Sequence, residues 1–117
     1  MSNKSDIVFL EHILDSIDAI AQFSKNVTKN ELDSNRLKRS AIVREIEVIG
    51  EAVKNISRSL KSNHKEIAWK DIAGTRDKMI HHYFGVDINI ILDIIKRDLP
   101  LLKKKVQEIL KDLLSKN

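Results

Sequence analysis

Ala41-Ile42-Val43-Arg44-Glu45-Ile46-Glu47-Val48-Ile49-Gly50-Glu51-Ala52-Val53-Lys54-Asn55-Ile56-Ser57-Arg58-Ser59-Leu60 decides the fold. Ile42, Ile46, Ile49, Val53, Ile56 and Leu60 alternate steps of four and three residues, the spacing that gathers side chains on one face of an α-helix. That seam is expected to face a core. Ala41, Val48 and Ala52 add a second apolar strip beside it, wider than one neighbouring helix requires, so part of this helix is expected to pack against a second copy of the chain. Gly50 forfeits about 1 kcal/mol of helix propensity relative to alanine, a loss tolerated where another backbone comes close, and is expected to mark a helix crossing. Lys54, Arg58 and Lys61 follow the same steps of four and three as a basic stripe, either a solvated face or a weak track for a nucleic-acid backbone.

Upstream, Leu10, Ile13, Leu14, Ile17, Ile20 and Ala21 define an amphipathic first helix with Ser5 or Asp6 as its cap. Thr28-Lys29-Asn30-Glu31 has the spacing of a capping box and predicts a short helical turn. Downstream, Ser62-Asn63-His64 reads as a loop. A third helix is expected over 65–83, loosened by Gly74, and a fourth is capped by Asp87. A fifth is capped by Asp98, with Pro100 in its first turn and Leu99, Leu102, Val106, Ile109 or Leu110, and Leu113 as its buried stripe. The pattern predicts an all-α antiparallel bundle of four to five helices over 1–117, as one domain.

Composition agrees with that class. Three glycines and one proline in 117 residues leave too few turn residues for a many-stranded sheet. With no cysteine, neither a disulfide framework nor a thiolate metal site can form. Met1 to Asp6 lacks the apolar run of a signal peptide, and apolar stretches such as 88–95 fall well short of the roughly 20 residues that span a bilayer. A cytoplasmic protein without a membrane association is therefore expected. A formal charge of +4 and a pI near 9.4 favour acidic partners, nucleic acid among them.

Chemistry concentrates in Gly74-Thr75-Arg76-Asp77-Lys78-Met79-Ile80-His81-His82-Tyr83. A permanent cation beside a group that titrates near neutrality is the minimum equipment for phosphate-ester chemistry without a metal. On a helix Asp77 and His81 share a face, so the carboxylate can accept a hydrogen bond from the imidazole and raise its pKa. Arg76 and Tyr83 share another face, about 140° from His81. Arg76 and His81 therefore converge only if the helix distorts toward Gly85, if the guanidinium arm swings across, or if a second subunit completes the site. His81 and His82 diverge, no HExxH accompanies them, and no glycine-rich phosphate loop is present. Neither a metal nor a cofactor is expected, and any nucleotide chemistry falls to a partner. Trp69 reads as a core or interface anchor, because the other aromatics are too scattered for a base-stacking platform.

The chain also resembles HEPN-domain proteins, specifically the HepT-like toxins. The landmarks run in the family's order: Ala21-Gln22-Phe23, Val48-Ile49-Gly50-Glu51-Ala52, Ala68-Trp69-Lys70-Asp71-Ile72-Ala73-Gly74-Thr75-Arg76-Asp77, His81-His82-Tyr83, Val86-Asp87 and Asp98-Leu99-Pro100. Asp77 stands where Asn is the commoner family choice. The resemblance implies a helical homodimer that acts as a metal-independent endoribonuclease, possible substrates including tRNA. It makes this the toxin half of a toxin–antitoxin pair whose antitoxin is a minimal, MntA-like nucleotidyltransferase. It implies His81 as general acid or base, Arg76 as the stabiliser of phosphate charge, Glu51 as an anchor for Arg76, and Tyr83 as the hydroxyl that receives AMP. The rival reading is a non-catalytic module that binds a nucleotidyltransferase, and a third is a plain nucleic-acid-binding helical protein.

Overall fold

The computed structural model describes residues 4–79 and 87–116, and His81, His82 and Tyr83 lie outside the described residues. Helix α1 covers Lys4–Phe23 and buries Leu10, Ile13, Ile17 and Ile20, as its periodicity requires. Asp6 does not cap it. The helix begins before Asp6, whose carboxylate is buried and accepts the Ser57 amide at 2.8 Å and the Ser57 hydroxyl at 2.6 Å. An acid near the start of one helix thus fastens the start of another.

Helix α2, Lys29–Ser34, begins at Thr28, whose hydroxyl accepts the Glu31 amide at 3.0 Å. Only half of the expected capping box forms, because the Glu31 carboxylate pairs with Lys38 on the next helix. Helix α3, Arg36–Lys54, carries the deciding seam, with Ile42, Ile46, Ile49 and Val53 buried. The seam's last two members, Ile56 and Leu60, are buried too, but off α3. Asn55 ends α3 with its side-chain amide on the Glu51 carbonyl, and Ser57 caps the separate helix α4, Arg58–Asn63. One apolar face is thereby carried across a break in the helix.

The single helix expected over 65–83 is two pieces in its described part, α5 at Trp69–Ala73 and α6 at Thr75–Met79. Gly74 separates them, its amide donating to Lys70 O at 3.1 Å. Trp69 is a core residue as expected, with its indole N–H held by the His64 carbonyl at 3.0 Å. Helix α7, Ile88–Asp93, begins at Asp87, whose carboxylate accepts the Ile90 amide. Asp98 starts no new helix and makes no capping hydrogen bond. Instead a π-helical turn, Ile94–Asp98, joins α7 directly to α8, Leu99–Ser115, with the Leu99 amide on the Ile94 carbonyl. The wider turn spares the Pro100 ring a clash with the carbonyl four residues back.

All regular structure among the described residues is helical. Helix α1 packs along α3 and against α8, while α3 also receives α5 and α6 on its other side. The crossing of α3 with α5 falls at Gly50, as expected: a Cβ there would lie 3.4 Å from Ala73 O and 3.6 Å from Ile72 O. No described helix is long and apolar enough to cross a membrane. Ala52 of the second apolar strip belongs to the chain's own core, leaving Ala41 and Val48 half-buried.

Candidate functional site

Close approach at Gly50 brings the short helix α6 against α3, and with it Arg76 against Glu47. The Arg76 Nε donates to Glu47 Oε2 at 2.6 Å. Arg76 remains 61% exposed and Glu47 35%, so the pair contributes little stability, on the order of 0–1 kcal/mol. Its effect is directional. With Nε committed, the two terminal amino groups have no partner among the described residues, and they form the planar fork that suits a phosphate.

The two residues border a groove of about 560 Å³ between α3 and the α5–α6 pair, polar by virtue of the charged side chains around it, which include Arg44, Glu51, Lys54 and Asp77. A slightly larger groove of about 580 Å³, mainly apolar and bordered by Ile46, Ile72 and Leu99, lacks Arg76. The polar groove is the candidate site because the guanidinium is there. Glu51 stands on its wall but does not anchor Arg76; it pairs with Lys54 at 3.3 Å, and Glu47, one turn earlier on α3, takes the anchoring place. Asp77 is exposed at the groove, while its expected hydrogen-bond partner His81 is outside the described residues, as is Tyr83. The chain on either side of that stretch is tied together, since the Asp87 amide donates to the Met79 carbonyl at 2.7 Å.

The basic stripe is not a single helical face. Lys54 closes α3, whereas Arg58 and Lys61 belong to α4 beyond the break. Folding instead gathers Lys54 and Lys61 with Lys65 and Lys70 around one concavity, from which Arg58 is missing. Lys65 extends the same spacing, four residues after Lys61, although it lies beyond the end of α4, whereas Lys70 is off that period and no spacing rule reveals it. Glu47 was equally hidden, since it and Glu51 occupy one face of α3 a turn apart. Among the described residues no cluster of three or more His, Asp or Glu is arranged to hold a metal ion.

Comparison with known proteins bears on the family of the chain. The family model described as Ribonuclease HepT-like matches residues 13–109. A protein of Methanocaldococcus jannaschii named "Putative RNase MJ1216" is 42% identical over 115 residues, covering 97% of this chain and 95% of that protein. "Putative RNase TTE0752" of Caldanaerobacter subterraneus is 41% identical over 87% of this chain and 91% of its own length. "Probable ribonuclease HepT" of Thermococcus cleftensis is 38% identical over 88% and 94%. The chain spans only 48% of another relative, the M. jannaschii "Gamma-glutamylcyclotransferase and putative RNase MJ0434", at 36% identity. No solved structure matches significantly. With a family model covering most of its length and relatives that align nearly end to end, the chain belongs to the HepT-like ribonuclease family.

Proposed function

We propose that this protein is a metal-independent endoribonuclease, the toxin of a toxin–antitoxin pair, and that Arg76 and His81 carry its chemistry. The observation that carries the reading is the Arg76 guanidinium, fixed through Nε by Glu47 and presenting its remaining donors to an open polar groove. His81 follows five positions later in the sequence, beyond the Met79 carbonyl that the Asp87 amide ties down. In the reaction the imidazole takes the proton of a ribose 2′-hydroxyl. The 2′-oxygen attacks the adjacent phosphorus, the bond from phosphorus to the 5′-oxygen breaks, and a proton returns to that leaving oxygen. Such general acid–base catalysis is worth about 10²- to 10⁴-fold. Arg76 offsets the charge that gathers on the non-bridging oxygens.

Regulation follows from the same stretch. The partner is a minimal nucleotidyltransferase that transfers AMP from ATP to Tyr83: the phenolic oxygen bonds to the α-phosphorus and pyrophosphate leaves. The added bulk and negative charge oppose the binding of RNA phosphate. A homodimer, with the half-buried Ala41 and Val48 of α3 at its interface, is part of the reading.

Purified protein incubated with tRNA in EDTA should cleave it, and Arg76→Ala and His81→Ala should not. Equal cleavage by all three removes the chemistry. Adding the nucleotidyltransferase and ATP should stop cleavage with a mass gain that Tyr83→Phe abolishes; an unmodified Tyr83 removes the regulatory part.

A further inference from the structure

We propose that single-stranded RNA leaving the Arg76 groove continues along a lysine track formed by Lys54, Lys61, Lys65 and Lys70, gripped by its phosphates and not by its bases. The track rests on the ribonuclease reading for its ligand, but it is argued from separate residues. Lys54 closes α3, Lys61 is in the last turn of α4, Lys65 lies in the following connection and Lys70 is on α5. These four border one concavity, which shares Lys54 and Ala73 with the Arg76 groove. The two therefore adjoin, with Lys54 and Ala73 as their common border, and a strand that crosses Lys54 passes from one to the other.

Charge gives the track its ligand class. Among the described residues Lys61, Lys65 and Lys70 make no ion pair, and Asp71 is the one acid bordering the concavity. The Lys54 pairing with Glu51 is exposed on both sides, 58% and 70%, and so readily exchanged for a phosphate. Uncompensated ammonium groups held close together repel one another, and a polyanion that neutralises them releases its own counterions. The shared border with the Arg76 groove favours RNA over an acidic protein. The aromatic residue at the concavity cannot stack a base: Trp69 is only 7% exposed and its N–H is committed to His64 O. Phosphate contacts position a strand without reading it, so this surface binds sequences alike.

The test is salt-dependent binding of fluorescent oligouridylate and oligoadenylate of equal length, wild type against K61Q/K65Q/K70Q, with K25Q/K29Q/K111Q as a control of equal charge loss. Each single-strand phosphate contact contributes about 0.7 to the slope of log affinity on log salt, so the track variant should lose roughly 2 from that slope. Both homopolymers should show the loss and the control should keep the wild-type slope. An unchanged slope in the track variant, or the same fall in the control, overturns the proposal. So does a track variant that binds RNA normally but loses affinity for polyglutamate, which would assign the surface to acidic protein. Cleavage in EDTA, run in parallel, separates the two claims. Wild-type cleavage with an unaltered slope sinks the track alone, and lysine-dependent binding without cleavage sinks the ribonuclease reading alone.

Discussion

Glu47 and Arg76, 29 residues apart in the chain, meet at 2.6 Å through one carboxylate oxygen and the arginine Nε. The choice of nitrogen matters, because a carboxylate on the terminal amino groups would block the donors a phosphate needs. Glu47 therefore positions Arg76 without occupying its working face.

Removing that support should impair turnover more than folding. Glu47→Ala should lower kcat on RNA about 10-fold, within the range that small misplacements cost, while stability changes by less than about 1 kcal/mol. Glu47→Gln keeps an acceptor oxygen for Nε and should recover most of the activity. Rates for the two variants beside their thermal melts check this, and an equal loss in both would point to charge instead of position.

Gly50 sets how near α5 comes to α3, and through Gly74 where the adjoining α6 lies. An alanine Cβ would stand 3.4 Å from Ala73 O, at the edge of ordinary contact, and would restore up to about 1 kcal/mol of helix propensity. Gly50→Ala should be close to neutral. Gly50→Val has no room at that carbonyl and should cost about 1–3 kcal/mol, with a matching fall in melting temperature and a larger loss of RNA cleavage as Arg76 is pushed from Glu47.

The seam from Ile42 to Leu60 was readable because burial follows its period even where the backbone does not: Ile56 and Leu60 stay in the core after α3 has ended. Periodicity reports which face is apolar, and a break that preserves the face leaves no mark on it. The same limit governs the site. Arg76 could be picked out by residue type, but whether Glu47 or Glu51 reaches it depends on where α6 crosses α3, which is a property of two packed helices. Asp6 read as a cap for a related reason, since a carboxylate suits any helix start and only the fold says which.

That carboxylate ties α1 to α4 across 51 residues. Asp6→Ala would leave the partly buried Ser57 amide without its acceptor, at about 1–3 kcal/mol. Ser57→Ala keeps the Asp6–amide bond but also removes the cap of α4, worth about 1 kcal/mol, so its cost should be comparable. The double variant should then fall short of the sum of the two single losses, as contacting residues do. Urea denaturation of the four proteins gives the coupling directly.

Glu66 offers a check on local electrostatics. Its carboxylate is held below the ordinary value first by a hydrogen bond from its own backbone amide, against some desolvation, and then by His64 and Lys105. A depressed folded value means that its contribution to stability is present above the ordinary carboxylate range and is lost as pH falls through the folded pKa. His64→Ala should raise the Glu66 pKa only part of the way back, since the backbone contact remains. Carbon-detected NMR titration of Glu66 in both proteins would show it, and a complete return would give His64 the leading role.

The π-helical turn and Pro100 compensate each other. Buried Ile94 and Leu99 are five residues apart, one more than an α-helical face allows, and only a turn widened by one residue lets both reach the core. Deleting the exposed Arg97 would shorten that step to four and let α7 run into α8 as ordinary helix with both apolar stripes in register. Pro100 would then lie inside a regular helix, lacking an amide and clashing with a carbonyl, at about 3 kcal/mol. The deletion alone should therefore destabilise the protein, and the deletion combined with Pro100→Ala should restore most of the loss. Pro100→Ala alone should keep the wide turn, because the five-residue step is still needed to bury Ile94 and Leu99. Melting temperatures of the three variants test the coupling, and a deletion that is no better tolerated with alanine at position 100 would show that the proline is not what opposes regular helix there.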